Sequence, residues 1–535
     1  MNGGNFPGRS AEDKNAKTSV GLPKIALWTI TDVLNCYLSE LESSNLDIAF
    51  NRQPHMHHDN LPSDPQDLQL PRRPLVAIIG GGISGAGVAY HLALAGRDRP
   101  PAITVFEPRA ELGRGLAYDT SDPAHRINVP AARMSLLPEH PGDFLEWIEL
   151  NDAIADDPAA RRADGAIFPR RELFGRYVAS ALRPLVETGA VRHRRAVVTD
   201  VERDGAFWRI SDSQGGQTFA DYLVIATSHP SPSPPSALMA LAGHPKFVAD
   251  STVPGALDAI DPDDRLLVVG NGLTAADVVA SLEITGHRGP VTSISRRGLR
   301  SRGHPAVAQD PFGAFEMVPV ESATQLLRLV RHTIREAEQA GLTWHAVLDQ
   351  VRGHGHAIWW ALPVSERRRI VRHLRPFWDV HRFRIAPQVE EVLDRAVANG
   401  RMEVLAASVA NIRREGDDIG VVLRRRNGER LERVYDAMVV TTGPAHGGIL
   451  NSQPWLARLR DLGHLQLDPT GLGIACNLSS EALAGDGRPD PTLLISGPLA
   501  RGAFGELMGL PQITEHAVFV ASELDRKVEK DLEDD

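Results

Sequence analysis

At about 150 residues per domain, a chain of 535 residues sets a prior of three to four domains or two large ones, and excludes a single small module. Its 42% apolar and 24% charged residues are ordinary globular usage, enough for a sizeable core and incompatible with wholesale disorder. A net charge of −10 provides no global positive field for phosphates, so nucleic-acid binding is set aside.

Only two cysteines occur, Cys36 and Cys476, far apart and outside any CxxC pair. That spacing excludes a disulfide framework and a thiol redox pair, and fits a reducing, cytoplasmic setting. No apolar run approaches the ~18 residues that span a bilayer, and no export signal is read at the start. Of the 58 basic residues only six are lysine, and three of these fall in the first 24 residues, marking the N-terminus as compositionally separate.

Residues 1–70 read as a poorly ordered leader with an amphipathic stretch at Ile25 to Leu41 and a polar run holding His55, His57, His58 and Asp59. The histidines are read as solvated, with no metal assigned. Met56 is an alternative translation start.

Patterned structure begins at Leu75. The apolar run Leu75 to Ile79, then Gly80, Gly81, Gly82, Ile83, Ser84, Gly85 and a helical stretch to Ala95, predicts strand, glycine turn and helix. A second strand, Ile103 to Phe106, ends in Glu107. In such a βαβ unit Gly80 permits the tight turn, Gly82 lets backbone approach a pyrophosphate and Gly85 allows close helix packing. Glu107 stands where a carboxylate accepts hydrogen bonds from a ribose diol.

The pattern returns offset by 190 residues: strand Arg265 to Val269, turn Gly270, Asn271, Gly272, Leu273, Thr274, Ala275, and helix Ala276 to Ile284. Where the first unit has Glu107, the second has Arg296 and Arg297. A guanidinium there suits a 2′-phosphate and not a bare diol, so this unit is expected to prefer NADPH over NADH. Each unit is closed by a matching strand, DYLVIAT from Asp221 and DAMVVTT from Asp436. Between them Glu321 to Gly400 reads as helices, including Ala323 to Ala340, Ser365 to His373 and Gln388 to Ala398, and Asn427 with Gly428 predicts a hairpin turn.

The block LGRGLAYDTSDPAHRINVPAARMS (Leu112 to Ser135), FPRRELFGRYV (Phe168 to Val178), GNGLTAAD (Gly270 to Asp277) and SRRG (Ser295 to Gly298) resemble bacterial FAD/NAD(P)-binding flavoproteins. That branch includes urate hydroxylase-like and aspartate N-monooxygenase-like enzymes. The resemblance covers about Leu75 to Leu524. It implies that Gly80, Gly82, Ser84, Gly85 and Glu107 bind FAD, with the segment of Arg114, Asn128 and Met134 along the pyrophosphate and flavin. It places Val198 at the adenine and Gly497 in a closing FAD element followed by a helix from about Gln512. Gly270, Gly272, Thr274, Ala275, Arg296 and Arg297 form the NADPH site.

The fold expected is α/β, with two interleaved Rossmann-type dinucleotide-binding domains and a helical insertion. The domain map reads 1–70 leader, 71–255 FAD-binding domain, 256–320 NADPH unit, 321–400 helical insertion, 401–445 β-rich completion, 446–524 C-terminal FAD part and 525–535 acidic tail.

Flavin beside NADPH permits hydride transfer and onward delivery of electrons. The lack of a cysteine pair argues against disulfide reduction, leaving molecular oxygen as acceptor. An NADPH-dependent monooxygenase acting through a flavin hydroperoxide on a small polar metabolite, urate-like or amino-acid-like, is the first reading. A flavin reductase or oxidase and a non-catalytic dinucleotide sensor are the alternatives. No catalytic acid or base, metal ligand or oligomeric state is assigned. His304, Arg384, Arg501 with Glu506, and Trp359, Trp360 and Trp378 are candidate substrate contacts, each also explicable by packing.

Overall fold

The computed structural model describes residues 73–534 except 98, 231, 233, 317–319 and 444–445. The leader, its histidine cluster, Met56 and Cys36 lie outside the described residues.

The first domain starts with strand β1 (Leu75–Ile79), helix α1 (Ile83–Ala93) and strand β2 (Ala102–Phe106). Helix α2 (Arg171–Glu187) leads into β3 (Val191–Arg194). An antiparallel excursion follows, β4 (Val198–Asp204), β5 (Phe207–Asp212) and β6 (Gln217–Ala220), before β7 (Tyr222–Ile225) returns to the sheet. The chain re-enters this domain much later with β15 (Glu481–Leu483) and β16 (Pro489–Ile495), giving the order β15-β16-β7-β1-β2-β3. Neighbouring strands are parallel except β15 on β16. The apolar, β-branched runs of β1 and β7 are what a strand covered on both faces requires.

The second domain repeats the plan. Strand β8 (Phe247–Val248) is a short edge, β9 (Leu266–Val269) feeds helix α3 (Leu273–Ile284), and β10 (Val291–Ser295) follows. Strands β11 (Met402–Glu415), β12 (Asp418–Arg425), β13 (Arg430–Tyr435) and β14 (Ala437–Val440) complete the order β13-β12-β11-β10-β9-β14-β8. The hairpin read at Asn427 and Gly428 joins β12 to β13, with Gly428 at φ +89° and its N–H donating to Arg425 O at 3.0 Å.

Both closing strands are pinned alike. Asp221 Oδ2 accepts from the Leu75 N–H at 2.7 Å, and Asp436 Oδ2 accepts from the Arg265 N–H at 2.6 Å. An aspartate before each closing strand thus caps the first strand of its own domain, which accounts for the shared D of DYLVIAT and DAMVVTT.

Helices α4 (Ala323–Gln339), α5 (Trp344–Gly353), α6 (Gly355–Ala361) and α7 form the insertion. Helix α7 spans Val364–Arg369, a π-helical stretch Ile370–Leu374, and Arg375–Arg382. Helix α8 (Pro387–Ala398), expected inside the insertion, instead packs Val389, Leu393 and Ala396 into the second domain's core beside Ala276, Val279 and Ala280 of α3. It is the crossover helix between β10 and β11. Helix α9 (Gln512–Asp534) runs on through the segment read as an acidic tail and buries Val528. It packs on α1 closely enough that a Cβ on Gly87 would lie 2.9 Å from Ala517 Cβ.

Candidate dinucleotide sites

Both glycine turns sit where adjacent connections leave the sheet in opposite directions, the place where open parallel sheets form a crevice. At the first, Gly80 has φ +103° and a Cβ there would lie 2.5 Å from Ala226 O. A Cβ on Gly85 would lie 1.9 Å from Gly80 O, so helix α1 starts hard against the turn. At the second, Gly270 has φ +129° and a Cβ would meet Thr441 Oγ1 at 2.4 Å. There the third position is Ala275, buried, so this turn leaves room for a methyl group.

A cavity of about 1400 Å³ opens over the first turn. Gly80, Gly82, Ser84, Glu107, Arg114 and Val198 line it together. Glu107 is 4% exposed; its Oε2 accepts from the Gly81 N–H at 3.1 Å and its Oε1 from Arg109 N and Nη1 at 3.1 and 3.0 Å. Arg109 is a neighbour that sequence reasoning missed. Gly115 approaches the same turn, a Cβ on it falling 2.9 Å from Gly82 Cα, which explains why the GRG of Leu112 to Ser135 needs small residues.

Gly497 precedes the cavity-lining Pro498 and abuts helix α1: at φ +70° its Cβ would fall 2.1 Å from Ser84 Oγ. Its N–H donates to His516 Nδ1 at 3.1 Å, and His516 Nε2 lies 3.0 Å from Ser480 Oγ. With Nδ1 accepting, the ring proton resides on Nε2 and is donated to Ser480. Burial pushes His516 down to about 3, holding it neutral. This His516 bridge had no motif to reveal it.

Two expected residues lie elsewhere. Met134 is 3% exposed within the first domain's hydrophobic core. Asn128 contributes its carbonyl to His304 Nε2 at 3.1 Å. Thr274 faces the large cavity from α3, which borders it along Asp277 and Ser281. Asp277 also pairs with Arg171 of α2 at 2.9 Å, tying the two domains together beside the cavity.

A second cavity of about 450 Å³ lies over the second turn. Asn271, Gly272, Arg296 and Arg297 line it, joined by Arg372 from the π-helical stretch of α7 and Arg426 from the β12–β13 turn. The Arg297 guanidinium stands 4.8 Å over the Phe377 ring, and Asn271 Nδ2 is buried without a partner. Four guanidiniums around one cavity, faced there by the single carboxylate Asp379, fit an anion of more than one charge. The sequence marked only Arg296 and Arg297; Arg372 and Arg426 arrive through tertiary folding.

Arg384, Trp359 and Trp378 are held by partners within the protein. Arg384 forms a two-pronged pair with Asp349 at 3.1 and 2.8 Å. Trp359 Nε1 donates to Gly502 O at 2.8 Å and Trp378 Nε1 to Glu506 Oε2 at 3.3 Å, anchoring the insertion on the segment after β16; Trp360 is exposed. Cys476 is buried and its thiol is pushed up to about 12 by desolvation, far from a reactive thiolate. Among the described residues, no helix is long and apolar enough to cross a membrane.

Residues 77–230 match the FAD-NAD(P)-binding family model. No curated protein matches in sequence. Among solved structures, the chain is similar to the reduced form of an ornithine hydroxylase from Pseudomonas aeruginosa, with 15% identity, TM-score 0.57, and coverage of 86% of this chain and 100% of that one. An ornithine N-hydroxylase from Kutzneria sp. 744 with reduced FAD, NADP+ and L-ornithine gives 16%, 0.58, 86% and 99% for the same measures. The L-lysine 6-monooxygenase from Pseudomonas syringae gives 18%, 0.57, 86% and 100%. The likeness in fold covers 86% of the chain, and residues 77–230 are the part that the family model matches.

Proposed function

We propose that the protein is an FAD-dependent, NADPH-using monooxygenase of a small polar, amino-acid-like or urate-like metabolite, working in a reducing cytoplasmic setting. The observation that carries this is the pairing of two unlike sites on one fold: a carboxylate at the first glycine turn and four arginines at the second. The likeness in fold to an ornithine N-hydroxylase with reduced FAD and NADP+, and to an L-lysine 6-monooxygenase, supports the reading.

The residues present fit both cofactors. At the first turn a side chain on Gly80 or Gly85 would strike backbone, so the glycines hold open the close approach a pyrophosphate needs, with the N-terminus of α1 above it. Glu107 would hold the ribose, Arg114 the phosphates, Val198 the adenine side, and Gly497 with Pro498 the closing edge, fixed in place by His516. At the second turn Gly272 would admit the pyrophosphate, and Arg296, Arg297, Arg372 and Arg426 would hold the 2′-phosphate.

When bound, flavin supplies hydride acceptance from NADPH and the activation of molecular oxygen. The chain's own residues then position and shield. The Arg171–Asp277 pair and α3 hold the NADPH domain against the mouth of the large cavity. Trp359 and Trp378 fasten the insertion to the segment after β16, limiting water access on that side. With a single, buried cysteine among the described residues, no thiol pair is available there to draw electrons off.

The test uses the purified yellow protein. NADPH should bleach the flavin without oxygen, and in air NADPH oxidation should accelerate with a small amino acid or urate while little peroxide forms. Peroxide formed regardless of substrate would instead mark an oxidase, and no bleaching a dinucleotide sensor.

A further inference from the structure

Asp277 stands on α3 five residues beyond Gly272, about 7.5 Å along the helix from the second glycine turn at about 1.5 Å per residue. Whatever holds Asp277 therefore holds that turn. Arg171, at the start of α2 in the first domain, meets it with Nη2 at 3.1 Å from Oδ1 and 2.9 Å from Oδ2. Both residues line the large cavity, yet their side chains are only 22% and 13% exposed, so water screens the pair less than it would a surface pair.

Arg171 is itself immobilised. Its N–H donates to His125 O at 2.8 Å and its Nε to Arg126 O at 2.9 Å. Arg126 in turn makes a buried two-pronged pair with Asp157, both bonds at 2.8 Å, and donates to Phe168 O at 3.0 Å. Beside it Ala124, 5% exposed, is clustered with Ala275, Val278 and Val279 of α3 in the second domain's core. A second link lies on the other crossover helix, where Gln388 Nε2 of α8 donates to Ala159 O at 2.7 Å. The first domain thus presents a braced platform, residues 124–126 with 157–171, and grips both crossover helices of the second.

None of these contacts involves Arg296, Arg297, Arg372 or Arg426, the four arginines of the small cavity. Gripping α3 and holding a phosphate are therefore separate tasks carried by separate residues. Affinity for the dinucleotide depends on the second task. Hydride transfer depends on the first, because reacting atoms must approach to about 3–3.5 Å and a misplacement of about 1 Å can cost roughly 100-fold in rate.

We infer that Arg171 and Asp277 are positioning residues for hydride transfer: by clasping α3 to the first domain they set where the second dinucleotide site stands over the first, without contributing to dinucleotide affinity. This rests on the monooxygenase reading only as far as its FAD and NADPH sites, and it gives the reaction two residues outside both cofactor assignments.

The test uses FAD-loaded protein without oxygen or substrate. Asp277→Asn, Arg171→Gln and the double variant are compared with the unmodified protein in three measurements. These are NADP+ affinity by calorimetry, the NADP+-induced change of the oxidised flavin spectrum, and the rate of flavin bleaching by saturating NADPH. Each single variant should keep NADP+ affinity within about twofold, lose most of the spectral change and bleach at least about tenfold more slowly. The double variant should be no slower than Arg171→Gln alone, because Asp277 acts through that side chain. Unchanged bleaching and spectral change in both single variants overturns the inference. So does NADP+ affinity falling in step with the rate, losses that multiply in the double variant, or absence of bleaching in the unmodified protein. Should a single variant fail to retain FAD, Gln388→Ala, which breaks the second link away from the large cavity, must slow bleaching at unchanged NADP+ affinity. A protein that shows this split yet never oxygenates a substrate loses the monooxygenase reading and keeps the inference. One that oxygenates, with both single variants bleaching at full rate, does the reverse.

Discussion

Arg297, Arg372 and Arg426 reach the smaller cavity from three separate elements, and each can be removed without touching the glycine turn. Hydrogen bonds to charged groups contribute about 1.5–3 kcal/mol each, and 1.4 kcal/mol is tenfold in affinity. Arg297 is half-buried and held over Phe377, so Arg297→Gln should weaken NADP+ by about 2 kcal/mol, roughly 30-fold. Arg372 and Arg426 are exposed, where water and salt screen the attraction, so Arg372→Gln and Arg426→Gln should each lose about 1 kcal/mol, roughly fivefold. NAD+ has no phosphate there, and relief of like-charge crowding should leave its affinity unchanged or slightly improved. Equilibrium titration of FAD-loaded protein with NADP+ and NAD+ at low and high salt reads both values. The NADP+ affinity of the variants should also lose part of its salt dependence. Equal losses for NADP+ and NAD+, or an unchanged preference in Arg297→Gln, would refute the phosphate assignment.

Gly85→Ala should abolish FAD retention, since its Cβ would lie 1.9 Å from Gly80 O, whereas Gly272→Ala has nothing within 4 Å and should fold with FAD bound while weakening NADP+. Flavin absorbance per protein and NADP+ titration separate the two. Glu107→Ala leaves the Gly81 N–H without its acceptor and removes the ribose partner, weakening FAD by about 1.5–3 kcal/mol, read by flavin release on dilution. Burial holds His229, His304 and His345 near 4 and His516 near 3, all below the ordinary 6.5. The unfolded chain therefore binds more protons below 6.5, so stability is complete above that pH and is lost as pH falls through the folded values. Melting temperatures recorded from pH 7 downward should drop steadily below about 6.5, and a flat profile to pH 5 would contradict the buried, neutral assignment.

The two βαβ units were legible because everything that defines them is local: an apolar run, glycines at fixed offsets, and a charged residue at the next strand's tip. Gly80, Gly82, Ser84, Glu107 and Arg297 all stand where that short-range logic puts them. Helix α8 was misassigned for a physical reason, since the amphipathic period of Gln388 to Ala398 is the same for a crossover helix and an inserted one. Only the pairing of β10 with β11 decides between them. Met134 sits on an apolar residue type that suits a core as well as a flavin face, and its segment has no periodicity to choose between them. Arg372 and Arg426 carry no motif because their meaning comes from the sheet order and from the π-helical stretch of α7. The aspartates before β7 and β14 were visible as a repeated letter, yet their role as caps on β1 and β9 needed the closed sheet.

The most direct test of the monooxygenase account is the fate of oxygen during turnover with a small amino-acid-like or urate-like substrate supplied with NADPH. Isotopically heavy dioxygen should place one labelled oxygen atom in the product for each NADPH consumed, with the other released as water. Label found only in peroxide, in equal amount to the NADPH consumed and with every amino-acid-like or urate-like compound tried, would contradict it.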